Sequence, residues 1–254
     1  MTSRWYRVVA APALLLLLAS CSVGAAGPVA TPPPPVASTG RPSLVYVAVG
    51  ASETLGVGAK QSTTDAWTQV FYRTALPRAA VYYNFGVAGD TVSGAQTDQV
   101  PGALALSPSL VTVWLNVNDL LAGVPAAKYQ GQLGHLVHDL RRGGEAQVMV
   151  ANTPYLDRLP AYLACHGGPV NQCPPLPLAQ LDAAAINARV DEYNAAIATV
   201  VREEGAVLVD LHARGETPDT HPEWVSSDGF HPSTAGYAAI GAVFAERYRA
   251  IGRA

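Results

Sequence analysis

Leu44-Val-Tyr-Val-Ala-Val-Gly-Ala-Ser-Glu-Thr-Leu-Gly-Val-Gly58 decides how the rest of the chain is read. Its first six residues, Leu44–Val49, are apolar and Val-rich without polar alternation, as in a strand covered on both faces of a parallel sheet. The run breaks at Gly50-Ala51-Ser52-Glu53-Thr54. In open α/β sheets the ligand crevice lies outside the carboxyl ends of the strands, so a serine just past such a strand stands where chemistry is usually placed. Ser52 is therefore a candidate nucleophile. A strand-ending Gly-x-Ser is also an ordinary turn with a helix cap, and the assignment depends on distant partners.

Outward from this stretch the pattern alternates. Trp67–Leu76 puts Trp67, Val70, Phe71 and Thr74 at helical spacing, and Pro77 stops the helix. Further strands are expected at Val81–Phe85, Leu110–Leu115, Gln147–Ala151 and Ala206–Leu211. Pro125–Arg142 predicts a helix with Tyr129, Leu133, Leu136, Val137 and Leu140 as its apolar stripe. Leu181–Glu204 predicts another, burying Ile186, Val190, Tyr193, Ile197 and Val200 and ended by Gly205. An Ala-rich helix closes the chain at about Arg249. Strands alternating with helices in this way predict an α/β fold whose parallel sheet is covered on both faces.

The chain has 254 residues, 49% of them hydrophobic, and once its first forty or so are set aside it fits one domain. With a net charge of −3 and no basic cluster beyond Arg141-Arg142, nothing in the sequence points to a nucleic-acid partner. Arg4 and Arg7 followed by apolar Val8–Ala19 form an export signal too short to span a bilayer comfortably. Leu18-Ala19-Ser20-Cys21 resembles a bacterial lipobox, which implies that Cys21 is acylated and anchors residues 22 onward to the cell membrane. The competing reading is an ordinary signal peptide with Cys21 incidental. Ser22–Pro42, with four prolines at 32–35, is an extended tether that cannot build a core. The folded domain is expected over residues 43–254.

With Cys21 acylated, two cysteines remain. Cys165 and Cys173 bracket a loop-forming sequence, and an oxidising compartment favours a disulfide between them. A zinc site on these thiols and His166 has too few ligands. His135 and His138 share a helix edge without a carboxylate at matching spacing, and read as solvated. Asn152–Ala179 is a long excursion expected to border the cleft.

Three further strand or helix junctions carry chemistry. Asn84–Thr91 is a glycine-bearing turn leading to a helix capped by Asp90 or Thr91, and the Gly89 N–H can face an oxyanion at close approach. Asn116-Val117-Asn118-Asp119 ends the third strand, and the Asn118 amide can donate to developing negative charge without titrating. Pro232 keeps His231 out of the α region on a rigid loop, with Asp228 three residues earlier and Gly229 in the turn between. A hydroxyl, backbone donors at Ser52 and Gly89, an amide donor, and an imidazole with a carboxylate are the parts needed for acyl transfer.

Gly50–Thr54, Ala88–Thr91, Asn116–Asp119 and Asp228–Pro232, in that order, resemble the four blocks of the SGNH hydrolases of the GDSL lipase/esterase superfamily. The resemblance covers roughly Leu44 to Arg249. It implies a three-layer α/β/α flavodoxin-like fold with a central parallel sheet of about five strands. It also implies ester hydrolysis without metal or cofactor, through Ser52, His231 and Asp228, with Ser52, Gly89 and Asn118 as the oxyanion hole. Two positions depart from the family pattern: Ala51 replaces an Asp that helps orient the serine loop, and Asn116 replaces a Gly, adding bulk near the pocket. The expected protein is a monomeric serine esterase acting on lipid or acylated-glycan esters at the cell envelope. The alternatives are an acyltransferase with the same residues or a binding protein on a decayed hydrolase fold. Trp67, Tyr155, Tyr162 and Trp224 are candidate pocket aromatics.

Overall fold

The computed structural model of the protein describes residues 44–167, 181–213 and 218–252. The expected signal segment with Cys21, the tether and Cys173 lie outside the described residues. Five strands, β1 (Leu44–Gly50), β2 (Ala80–Asn84), β3 (Leu110–Trp114), β4 (Gln147–Ala151) and β5 (Val207–Val209), form one sheet in the order β2-β1-β3-β4-β5. Every neighbouring pair is parallel. This is a flavodoxin-like order, in keeping with the fold that the family resemblance implies. The chain leaves β1 toward β2 and then crosses back to β3, so the topological switch point falls between the carboxyl ends of β1 and β3.

Helices cover both faces, and the period-two alternation of the strands sorts their side chains between them. Val47, Val49, Val111, Val113, Val148 and Val150 pack with the buried sides of α4 (Val92–Asp98), α5 (Val100–Ala105), α7 (Ala126–Arg141) and α9 (Ala183–Glu203). Tyr46, Ala48, Leu110, Met149, Ala151 and Val209 pack against α3 (Trp67–Ala75) and α10 (Thr234–Ile251). Tyr46 through Val49 are completely buried, which is why β1 shows no polar alternation. Complete burial of one such apolar side chain contributes about 1.5–3 kcal/mol. Trp67 stacks on Phe244 with ring centroids 4.0 Å apart. It belongs to the core.

The expected fifth strand, Ala206–Leu211, is shortened to Val207–Val209. Beyond it the N–H groups of Leu211 and His212 donate to Asn152 Oδ1, so a side chain replaces the ladder. Within the long excursion after β4, Pro160–Cys165 forms a short helix, α8. His138 pairs with Glu204 across the α7–α9 contact.

Candidate active site

Ser52 opens α1 (Ser52–Leu55), directly beyond β1. The junction is tight: a Cβ on Gly50 would sit 1.9 Å from Thr54 Oγ1, so only glycine fits there. Gln99, buried between α4 and α5, holds this glycine from both sides. Gly50 N–H donates to Gln99 Oε1 at 3.0 Å, and Gln99 Nε2 donates to Gly50 C=O at 2.9 Å and to Asp90 Oδ2 at 2.7 Å. Ala51 is buried in the core.

His231 lies 179 residues away in the chain, yet its Nε2 stands 3.1 Å from Ser52 Oγ. Its Nδ1–H donates to Asp228 Oδ2 at 2.6 Å. The other Asp228 oxygen accepts from Ser226 Oγ, Phe230 N–H and His231 N–H at 2.7, 2.8 and 2.9 Å. Partial burial would raise the Asp228 carboxyl, but the bonds from Phe230, the His231 ring, Ser226 and the His231 backbone outweigh it and hold its pKa down to about 2. Gly229 makes the turn possible at φ +74°, with Ala161 N–H donating to its carbonyl. The loop then enters α10 through Ser233, whose Oγ accepts from the N–H groups of Ala235 and Gly236.

On the other side of the serine, Gly89 adopts φ +80°, a conformation that favours glycine. The N–H groups of Ser52 and Gly89 donate to no other described residue. Asn118, in α6 (Val117–Leu121), gives one amide hydrogen to Asp90 C=O at 2.8 Å and keeps the second. Thr91, rather than Asp90, caps α4. Asp119 is buried and binds Val92 N–H, tying α6 to α4; burial foremost pushes its carboxyl up to about 6. Asn116 turns inward, where its Nδ2 donates to Ala151 C=O and ties the end of β3 to β4. Its bulk therefore goes to the sheet.

An apolar cavity of about 140 Å³ is walled by Glu53 and Phe230, the chain neighbours of Ser52 and His231, with Trp114, Tyr155, Leu159, Trp224 and Ile240. Of the candidate aromatics, Tyr155 and Trp224 line it. Tyr162 instead stacks on His166 and donates to Leu181 C=O. The excursion after β4 contributes Pro154–Leu156 and Leu159 to the cavity wall. Cys165 is disulfide-bonded.

Two residues of the site went unread in the sequence. Gln99 lacks any local signal, because its partners are 49 and 9 residues away. Glu53 carried one: a charged residue inside a junction otherwise built to be buried. Its Oε2 lies 3.3 Å from Ser52 Oγ.

The GDSL-like lipase/acylhydrolase family model matches residues 48–239. Among solved structures, the chain is similar to the lipase/acylhydrolase from Enterococcus faecalis at 20% identity, with 82% of this chain and 96% of that one covered and a TM-score of 0.59. It is similar to phospholipase A1 from Streptomyces albidoflavus NA297 at 20% identity, 80% and 99% coverage and a TM-score of 0.59. It is also similar to the Clostridium thermocellum family 3 carbohydrate esterase at 18% identity, 83% and 97% coverage and a TM-score of 0.59. At these identities the likeness shows a shared fold. No curated protein matches the chain.

Proposed function

The chain belongs to the GDSL-like lipase/acylhydrolase family and is a carboxylic ester hydrolase, and from that premise we propose that Ser52, His231 and Asp228 carry out the hydrolysis through an acyl-enzyme. Ser52 Oγ attacks the ester carbonyl while its hydrogen passes to His231 Nε2. Asp228 holds the Nδ1–H and stabilises the imidazolium that results. His231 then hands the proton to the departing alcohol oxygen, and a water activated by the same ring releases the acid. The N–H groups of Ser52 and Gly89 and the second Asn118 amide hydrogen receive the negative charge on the carbonyl oxygen. Removing one such donor typically costs about 10²–10³ in kcat.

The observation that carries this reading is the unbroken hydrogen-bond line from Asp228 through His231 to Ser52. It also favours catalysis over a binding-only role, which would not need the serine hydroxyl at the imidazole. The apolar cavity that Glu53, the residue after Ser52, helps to line favours an ester with a hydrocarbon substituent, whose burial is worth about 25 cal/mol per Å². The test is labelling by a serine-directed fluorophosphonate together with turnover of nitrophenyl esters of increasing chain length. Ser52→Ala is expected to abolish labelling and to lower kcat by at least about 10³-fold. Labelling that persists in that variant would remove Ser52 from the role.

The same proposal places the enzyme outside the cytoplasm as a monomer, held at the membrane by an acylated Cys21 on the proline tether, with Cys165 paired to Cys173. The export-type apolar run, the lipobox-like tetrapeptide and the odd cysteine count support it. The mass of the mature amino-terminal peptide tests the anchor: an unmodified residue 21 would end it.

A further inference from the structure

Glu53 has no part in the triad chemistry, yet it touches the reacting atom. It is nine-tenths buried and lines the apolar cavity, with Trp114, Val117 and Phe230 among the other walls. Ser52 Oγ is thus flanked by two groups able to accept its hydrogen, His231 Nε2 at 3.1 Å and Glu53 Oε2 at 3.3 Å. A serine hydroxyl has one hydrogen. Donated to Glu53, it is withheld from His231, and attack waits until the hydroxyl turns back to the ring. If Glu53 carries its own proton, the same contact runs the other way: the acid O–H donates to Ser52 Oγ, and the serine hydrogen is left for the imidazole.

We propose that Glu53 is a positioning residue that works as a neutral carboxylic acid, donating to Ser52 Oγ and so directing the serine hydrogen to His231; the proposal rests on the Ser52 reading above. The groups that face Glu53 agree with it. Ser52 adjoins it on its own element. His231 approaches from the loop before α10, with Asp228 behind that ring. Tyr237 approaches from α10, its hydroxyl committed to Val57 C=O at 2.6 Å. No Lys or Arg forms an ion pair with Glu53 among the described residues. A lone carboxylate among apolar walls is costly, and neutralising it is the ordinary escape. Burial accordingly pushes the Glu53 carboxyl above its usual range, opposed by its own backbone N–H, the His231 charge and the Ser52 contact.

In the attack, the Oγ–carbonyl carbon bond forms, the serine hydrogen moves to Nε2, and the proton of Glu53 stays where it is. Ionised Glu53 becomes a competing acceptor. Activity should therefore fall as Glu53 ionises.

The experiment is the pH profile of kcat/KM for nitrophenyl butyrate with wild type, Glu53→Gln and Glu53→Leu, each checked for fold by circular dichroism. The wild-type profile should fall toward alkaline pH. Glu53→Gln, whose amide N–H replaces the acid O–H, should keep the maximum within about threefold and lose the falling limb. Glu53→Leu should lose that limb as well, and drop roughly 3–10-fold for want of a donor. A falling limb that survives in either folded variant, or a wild-type profile that stays level into alkaline pH, overturns the proposal. A wild type that neither turns over esters nor takes the fluorophosphonate instead overturns the Ser52 reading beneath it.

Discussion

The two halves of the site are held in place by different physics. Ser52 is 8% exposed, and its loop is fixed by contacts remote in sequence: those of the completely buried Tyr46–Val49 run beneath it and the Gln99 clamp reaching over from the α4–α5 junction. The Asp228 side chain is 44% exposed and that of His231 19%, and their loop is fixed almost entirely from within. Three of the four bonds to the Asp228 carboxylate come from residues no more than three positions away by backbone or hydroxyl, and the fourth from the His231 ring. Ser52 is thus positioned by the tertiary fold, and His231 by local turn chemistry. Damage to the first should appear as lost stability, and damage to the second as lost rate.

The largest effect that sharpens this contrast is expected from Asp228→Asn. The amide oxygen can still accept the Ser226, Phe230 and His231 backbone bonds, so the turn should persist and Tm should change by only a few degrees. The amide N–H would oppose the Nδ1–H and favour the wrong tautomer, lowering kcat by roughly 10²–10⁴-fold. Steady-state kinetics beside a thermal melt would read both. Gln99→Leu should behave in the opposite way. It strands the buried Gly50 N–H and costs about 2–3 kcal/mol of stability, read as a lower denaturation midpoint, with the rate of the surviving folded enzyme falling much less. If Asp228→Asn unfolds the protein while Gln99→Leu leaves the midpoint unmoved, the contrast is wrong.

The smallest effect is in acid. A carboxyl depressed to about 2 contributes stability that is fully present above the ordinary Asp value of about 3.9 and is lost as pH falls through the folded-state value. The stability difference between wild type and Asp228→Asn should therefore shrink between about pH 4 and pH 2. Its size will be modest because Asp228 is partly exposed and screened by solvent. A difference that is flat over this window would mean that the carboxylate bonds contribute nothing to the fold.

The contrast also explains what could be read in advance. The histidine loop was legible because its causes sit side by side: Pro232 restricts His231, Gly229 supplies the positive φ, and Asp228 is within one turn of its partners. The serine was legible as a position at a strand end, but the reason it stays there was not. Nothing around residue 99 announces a clamp on residue 50. Asn116 misled in the same way, because its direction depends on where the end of β4 lies. Trp67 was one aromatic candidate among four until packing put it against Phe244, inside the core.

By itself the sequence determined the order of strands and helices, the parallel two-sided sheet, and which four junctions carry polar groups fit for acyl transfer. Hydrophobic periodicity and turn chemistry act over a few residues, so they survive in a one-dimensional string. Only the tertiary structure decided that Gln99 grips Gly50, that Asn116 faces the sheet, that Tyr155 and Trp224 rather than Trp67 and Tyr162 wall the cavity, and that Glu53 shares Ser52 with His231. Those outcomes depend on which polar groups meet after distant segments pack together, where burial removes water and makes each remaining partner count.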